Sequence, residues 1–126
     1  MGNTTSTERQ IEQLRSLELN RPVRMLNLLR YRKVAKNDTI SGEAMYQRYF
    51  QAAAPILEQF GAEVLMDGQP LMTLVGREDE EWDRMLIVRY SSLRQFLGMA
   101  RSPGFLDISQ QRLAALENHR LIIIGE

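Results

Sequence analysis

The chain has 126 residues, 44% hydrophobic and 25% charged, the make-up of one globular domain rather than two. Its 16 Lys and Arg balance 16 Asp and Glu, and the zero net charge removes the usual electrostatic case for nucleic acid or an anionic membrane as partner. With no cysteine and one histidine it has no disulfide, thiolate centre or cysteine nucleophile, and no multi-histidine metal site within one chain.

The first residues, Met1-Gly2-Asn3-Thr4-Thr5-Ser6, carry no apolar run, so no signal peptide is expected and the default location is cytoplasmic. They fit the loose Met-Gly-x-x-x-Ser acylation pattern, which so short a segment often meets by chance. No stretch approaches the ~20 apolar residues that cross a bilayer, so no membrane partner is expected. Thr7 to Leu19 reads as a helix. Thr7 and Gln10 have the spacing of a capping box, and Ile11, Leu14 and Leu17 or Leu19 form a thin apolar stripe before Asn20-Arg21-Pro22 stops it. Residues 1–21 are therefore set apart as a helical extension from a domain over 22–126.

Val23 to Tyr31 is the first strand, with Val23, Met25, Asn27, Leu29 and Tyr31 on one face and Arg24, Leu26, Leu28 and Arg30 on the other. Ser41 caps a helix that runs to Phe60 and stops at Gly61. Met45, Tyr49, Ala52, Ile56 and Phe60, flanked by Tyr46, Phe50, Ala53 and Leu57, give it a wide apolar face, and Pro55 is expected to kink it. Ala62 to Met66 is extended, Asp67-Gly68 reads as a turn, and Leu71 to Val75 is expected to resume as a bent strand or a small hairpin. Trp82 to Tyr90 is the next strand. Ser91 or Ser92 caps a helix that Ser102-Pro103-Gly104 interrupts, a further helix covers Phe105 to Leu116, and Leu121 to Ile124 is the last strand.

The order after the extension is strand, helix, strand, strand, helix, strand. This is the split βαβ arrangement of an α+β, ferredoxin-like fold. Two helices cover one sheet face, yet the first and third strands are aliphatic on both. A second copy, sheet against sheet, is the simplest cover for the other face, which predicts a homodimer.

Several segments resemble the uncharacterised family known as domain of unknown function 1330, within the dimeric α/β barrel group. They are Val23 to Leu29, Tyr46 to Phe50, Pro55 to Gly61, Arg89 to Phe96, Ser102-Pro103-Gly104-Phe105 and Arg112 to Leu116, together spanning about residues 22–125. Ser91 and Phe105 stand where such proteins often have proline and tyrosine, so no hydroxyl role carries over to position 105. The resemblance implies a fold and a dimer but no reaction.

The candidate ligand-binding residues are Asn27, Tyr46, Tyr49 and Arg89. A carboxamide inside an apolar strand needs partners. Asn27 either bonds to a neighbouring loop or helix end, or lines a pocket. Arg89 either anchors a ligand carboxylate with its fork, pairs with a carboxylate of the chain such as Asp83 or Glu63, or is simply exposed at the strand end. Tyr46 and Tyr49 are core aromatics or hydrogen-bond donors, with Asn27 a candidate partner. Tyr31 and Trp82 read as core or interface, and His119 as a solvated turn residue.

The run Glu78-Asp79-Glu80-Glu81 binds a cation or is simply solvated. Arg30-Tyr31-Arg32-Lys33 with Lys36 attracts an anionic substrate or answers that run across the dimer. No catalytic residue is assigned, and nothing implies a cofactor or metal, since no glycine-rich phosphate loop or nucleophile motif is present. Three functions stay open: a small polar or aromatic ligand bound between helices and sheet, a cofactor-independent oxygenase- or isomerase-like enzyme, and an interaction protein without ligand.

Overall fold

The computed structural model describes residues 5–126, so the Met1-Gly2 start of the acylation pattern lies outside the described residues. Among the described residues no helix is long and apolar enough to cross a membrane. α1 spans Glu8–Arg15. The capping box is present: the Thr7 hydroxyl accepts from Gln10 N–H at 3.1 Å and the Gln10 amide oxygen accepts from Thr7 N–H at 2.9 Å. The helix ends earlier than Leu19 because the backbone N–H and hydroxyl of Ser16 both donate to the Gln13 carbonyl, closing the last turn. Leu14 and Leu19 nevertheless pack onto the core.

β1 (Val23–Tyr31) has the expected limits, and α2 (Gly42–Gln59) is capped by Ser41, whose hydroxyl accepts from Ala44 N–H at 3.1 Å. α2 runs through Pro55 to a Phe60 cap, and Gly61 at φ 71 takes the left-handed turn that follows. β2 is Glu63–Gly68, β3 is Arg84–Tyr90, α3 is Leu93–Arg101, α4 is Pro103–Ala115 and β4 is Leu116–Gly125. Ser92 and Ser102 cap α3 and α4, with Pro103 opening α4, where its missing N–H is harmless.

The sheet order is β2-β3-β1-β4 with every neighbour antiparallel, and with the element order this is the ferredoxin-like fold. Register partners share a face. Met66, Ile87, Leu26 and Ile122 form a row across all four strands on the side away from the helices, with Met85 and Leu28 beside them. On the helix side the core divides into two clusters. One gathers Leu29, Leu86 and Leu116 under Met45, Tyr46, Tyr49 and Ala53 of α2. The other gathers Val23, Met25, Val88 and Tyr90 under Leu93 and Met99 of α3. Along β1 the break between them falls at Asn27.

Three expectations are corrected. Leu71 to Val75 form neither strand nor hairpin: β2 continues through Asp67-Gly68, and residues 69–83 are an irregular loop with Leu71 92% and Val75 91% exposed. The loop is handed back to the sheet by Asp83, whose N–H donates to the Leu29 carbonyl at 2.7 Å and whose carboxylate accepts from Tyr31 N–H at 2.8 Å. The last strand is ten residues, not four, and follows α4 with no loop between them. Ala52, expected on the apolar face of α2, is exposed.

Gly42 opens α2 where the end of β1 crosses the end of α4. A Cβ there would lie 2.2 Å from the Arg32 carbonyl oxygen and 2.5 Å from that of Ala115. Alanine gains ~1 kcal/mol in helix propensity at most, less than the cost of forcing backbone apart. Gly42→Ala should therefore destabilise the protein by about 3 kcal/mol. A urea midpoint equal to that of the parent would refute this close approach.

Candidate functional site

Between the two core clusters, beneath α2, α3 and α4, lies a cavity of about 240 Å³. Its walls are apolar: Met25, Leu86 and Val88 from the sheet, Phe96 and Met99 from α3, and Phe105 from α4. Into this enclosure project Asn27, Tyr46, Tyr49, Tyr90, Ser109 and Arg112. Leu121, opposite Asn27 on edge strand β4, is the exposed member of the lining, so the cavity reaches solvent along that edge.

Asn27 arrives here by alternation. It shares the inward face of β1 with Met25 and Leu29, opposite Leu86 on one side and Leu121 on the other. Its carboxamide nitrogen donates a long bond, 3.3 Å, to the Met25 carbonyl. The expected bonds to a loop, a helix end or a tyrosine are not made. Tyr46 and Tyr49 come from consecutive positions of the buried stripe of α2, with ring centroids 5.3 Å apart. Tyr90 stands edge-on to Phe96 at 5.2 Å. Among the described residues none of these three phenols has a hydrogen-bond partner and none is sealed away; the sealed, unpartnered side-chain atoms there are Arg32 Nε and Gln111 Oε1. Burial holds all three hydroxyls protonated by raising their pKa values above the ordinary tyrosine value, most strongly at Tyr46 and Tyr90. At Tyr46 and Tyr49 the positive charge of Arg112 works against that rise.

Arg89 is not in this site. Odd-numbered residues of β3 face away from the helices, and its guanidinium pairs with Glu126 at 2.7 Å, a carboxylate also shared by Arg24. Neither Asp83 nor Glu63 is its ion-pair partner. The arginine of β3 that does face the helices is Arg84. It is bidentate to Asp67 at 2.9 and 2.6 Å and lies over the Tyr46 and Phe50 rings at 5.4 and 5.0 Å.

Three members of the site were not picked out from the sequence. Tyr90 shares the inward parity of Leu86 and Val88. Arg112 interrupts the inward stripe of α4 four residues after Ile108. His119 is not a solvated turn residue: it lies in β4 opposite Leu29, half-buried, and its Nε2 accepts from Arg112 Nη2. Burial, followed by the charges of Arg112 and Arg120, pushes its pKa down to about 3, so it is a neutral imidazole protonated at Nδ1.

Outside the cavity, Trp82 lies under the Arg120 guanidinium at 5.2 Å. The basic and acidic runs meet within one chain, where Arg30 shares a polar depression with Asp79 and Glu80. Among the described residues no cluster of three or more His, Asp or Glu is placed to hold a metal ion.

A family model for a domain of unknown function (DUF1330) matches residues 33–126, beginning just after β1 rather than at residue 22. No curated protein matches the sequence. Among solved structures, a protein of unknown function from Rhodopseudomonas palustris has a TM-score of 0.93 at 33% identity, covering 100% of this chain and 98% of that one. A dimeric ferredoxin-like protein of unknown function from Bacteroides fragilis has a TM-score of 0.56 at 12% identity, covering 86% and 100%. SnoaB, a cofactor-independent oxygenase from Streptomyces nogalater, has a TM-score of 0.52 at 17% identity, covering 84% and 95%. The last two show the shared fold and nothing further.

The depressed pKa of His119 has a measurable consequence. The unfolded chain takes up a proton near the ordinary value of 6.5 while the folded one does not, so stability is full above 6.5 and falls as pH drops below it. The carboxylates with shifted pKa values act only below about 4.5, near their ordinary range. Between pH 6.5 and 4.5 the parent should lose at most about 1.4 kcal/mol per pH unit. His119→Gln should flatten that slope, read by urea unfolding across the same range; an unchanged slope would count against a neutral, buried His119.

Proposed function

The chain belongs to the DUF1330 family, a domain of unknown function, and on that footing we propose that it binds a small, mostly apolar molecule in the cavity between helices and sheet. One observation carries the reading: three phenols and the Asn27 carboxamide project into an apolar cavity without adequate protein partners. A hydrogen bond made there contributes ~0.5–1.5 kcal/mol net, and a ligand that pairs these groups gains it. A dry cavity of about 150 Å³ accepts benzene, so 240 Å³ leaves room for one substituted ring. Binding is favoured over catalysis by the same chemistry. The phenols are held protonated and His119 is pushed to about 3, so neither is poised near neutral pH for proton transfer. The oxygenase-like reading therefore rests on the shared fold alone.

The same proposal includes a homodimer through the other sheet face. Leu26, Ile87, Met66 and Ile122 form an apolar row there, with Met66 50% and Ile122 46% exposed in the single chain. A second copy related by a two-fold axis would cover it, leaving the cavity on the helix side free.

Two experiments test this. Asn27→Leu should leave the urea midpoint unchanged or raised, because the carboxamide has one long bond to lose, and should abolish the thermal shift of any ligand found by screening the parent. A parent saturated a hundredfold over Kd gains ~2.7 kcal/mol. A loss of 1–3 kcal/mol in unliganded Asn27→Leu would instead make Asn27 a structural residue. Light scattering of the parent at micromolar concentration should give twice 14.6 kDa, and Ile87→Lys should give 14.6 kDa. A parent that scatters as a single chain would end the dimer proposal.

A further inference from the structure

We infer that the cavity selects an anion: a small carboxylate on a ring-sized apolar body, its oxygens received by Arg112. This rests on the cavity-binding reading and adds the chemical class of the occupant. Of the described residues lining the cavity none is acidic, and Arg112 is the one cation among them. The ion pairs among the described residues place Arg15, Arg24, Arg30, Arg77, Arg84 and Arg89 against carboxylates, but none of them includes Arg112. The contrast with Arg84 is direct: both reach toward Tyr46, yet Arg84 is neutralised by a bidentate Asp67 and Arg112 is not.

The protein partner of Arg112 is the neutral imidazole of His119, which aligns the guanidinium without cancelling its charge. Of five N–H donors on an arginine, His119 takes one. The phenols of Tyr46 and Tyr49, which feel the Arg112 charge, add donors that have no acceptor. A cation with spare donors, set in an apolar enclosure, is unfavourable empty and favourable around an oxyanion, since charge-assisted bonds strengthen where water is excluded. One cation matches one negative charge, so a monoanion fits and a phosphate ester or dicarboxylate does not.

Phenylacetate and its neutral isostere phenylacetamide separate charge from shape. In calorimetric titration of the full chain at pH 7, phenylacetate should bind at least about tenfold tighter than phenylacetamide, a difference of ~1.4 kcal/mol. Arg112→Met should remove that preference, weakening the acid at least about tenfold while changing the amide less than about twofold, and unliganded Arg112→Met should melt no lower than the parent. Equal binding of acid and amide by the parent would overturn the anion inference and leave the cavity-binding reading standing. Binding of neither would overturn both. An Arg112→Met that keeps its preference for the acid, or melts several degrees below the parent, would make Arg112 a structural residue and overturn the inference.

Discussion

The alternation of β1 is the constraint on which the molecule depends. As an inner strand it pairs on both edges, so every residue is committed to one face or the other. Val23, Met25, Asn27, Leu29 and Tyr31 go under the helices, and Leu26 and Leu28 go to the opposite side. A slip of one residue would bury arginines and expose the core. With the register fixed, the neighbours follow: Leu86, Val88 and Tyr90 must face the helices, and Arg89 must face away.

Within that frame, one polar residue on the inward series decides where packing stops. Leucine at position 27 would let the two clusters merge. Asparagine keeps a polar group at the seam, and the aromatic rings above it span the gap without filling it. The result is a site whose walls belong to the core. Its shape is held by the same contacts that hold the fold, which is the condition under which a cavity stays preformed.

The elements and their order were legible in the sequence because caps and periodicities are local. Thr7, Ser41 and Ser92 each cap a helix, and β1 has the limits that Pro22 before it and the charged residues after it suggest, whereas Ser102, read as part of an interruption, caps α4. Asn27, Tyr46 and Tyr49 were legible as a group because all three break or decorate an apolar stripe. Arg89 lies apart from Asn27 because its parity within β3 turns it to the other face of the sheet. His119 was missed for a non-local reason. Glu117-Asn118-His119-Arg120 is polar and reads as a turn, and only pairing with β1 draws it into the sheet. Leu71 to Val75 erred the other way: an apolar run reads as a strand, but no partner strand lies beside it to complete a ladder.

The direct passage from α4 into β4 makes one wall and the edge of the cavity a single stiff piece of chain. Ala115 ends the helix and Leu116 begins the strand. The corner is pinned by Arg32 N–H to the Ala115 carbonyl at 2.8 Å and Lys36 N–H to the Ala114 carbonyl at 2.9 Å. An edge strand ordinarily frays on its own, opening locally at little free-energy cost. Here the two elements cannot fray independently: lifting β4 from β1 also draws His119 from Arg112 and opens the mouth at Leu121. Loosening of the sheet edge and widening of the cavity mouth are thereby coupled, so amide exchange along β4 reads out the stability of the cavity's rim as well as of the strand.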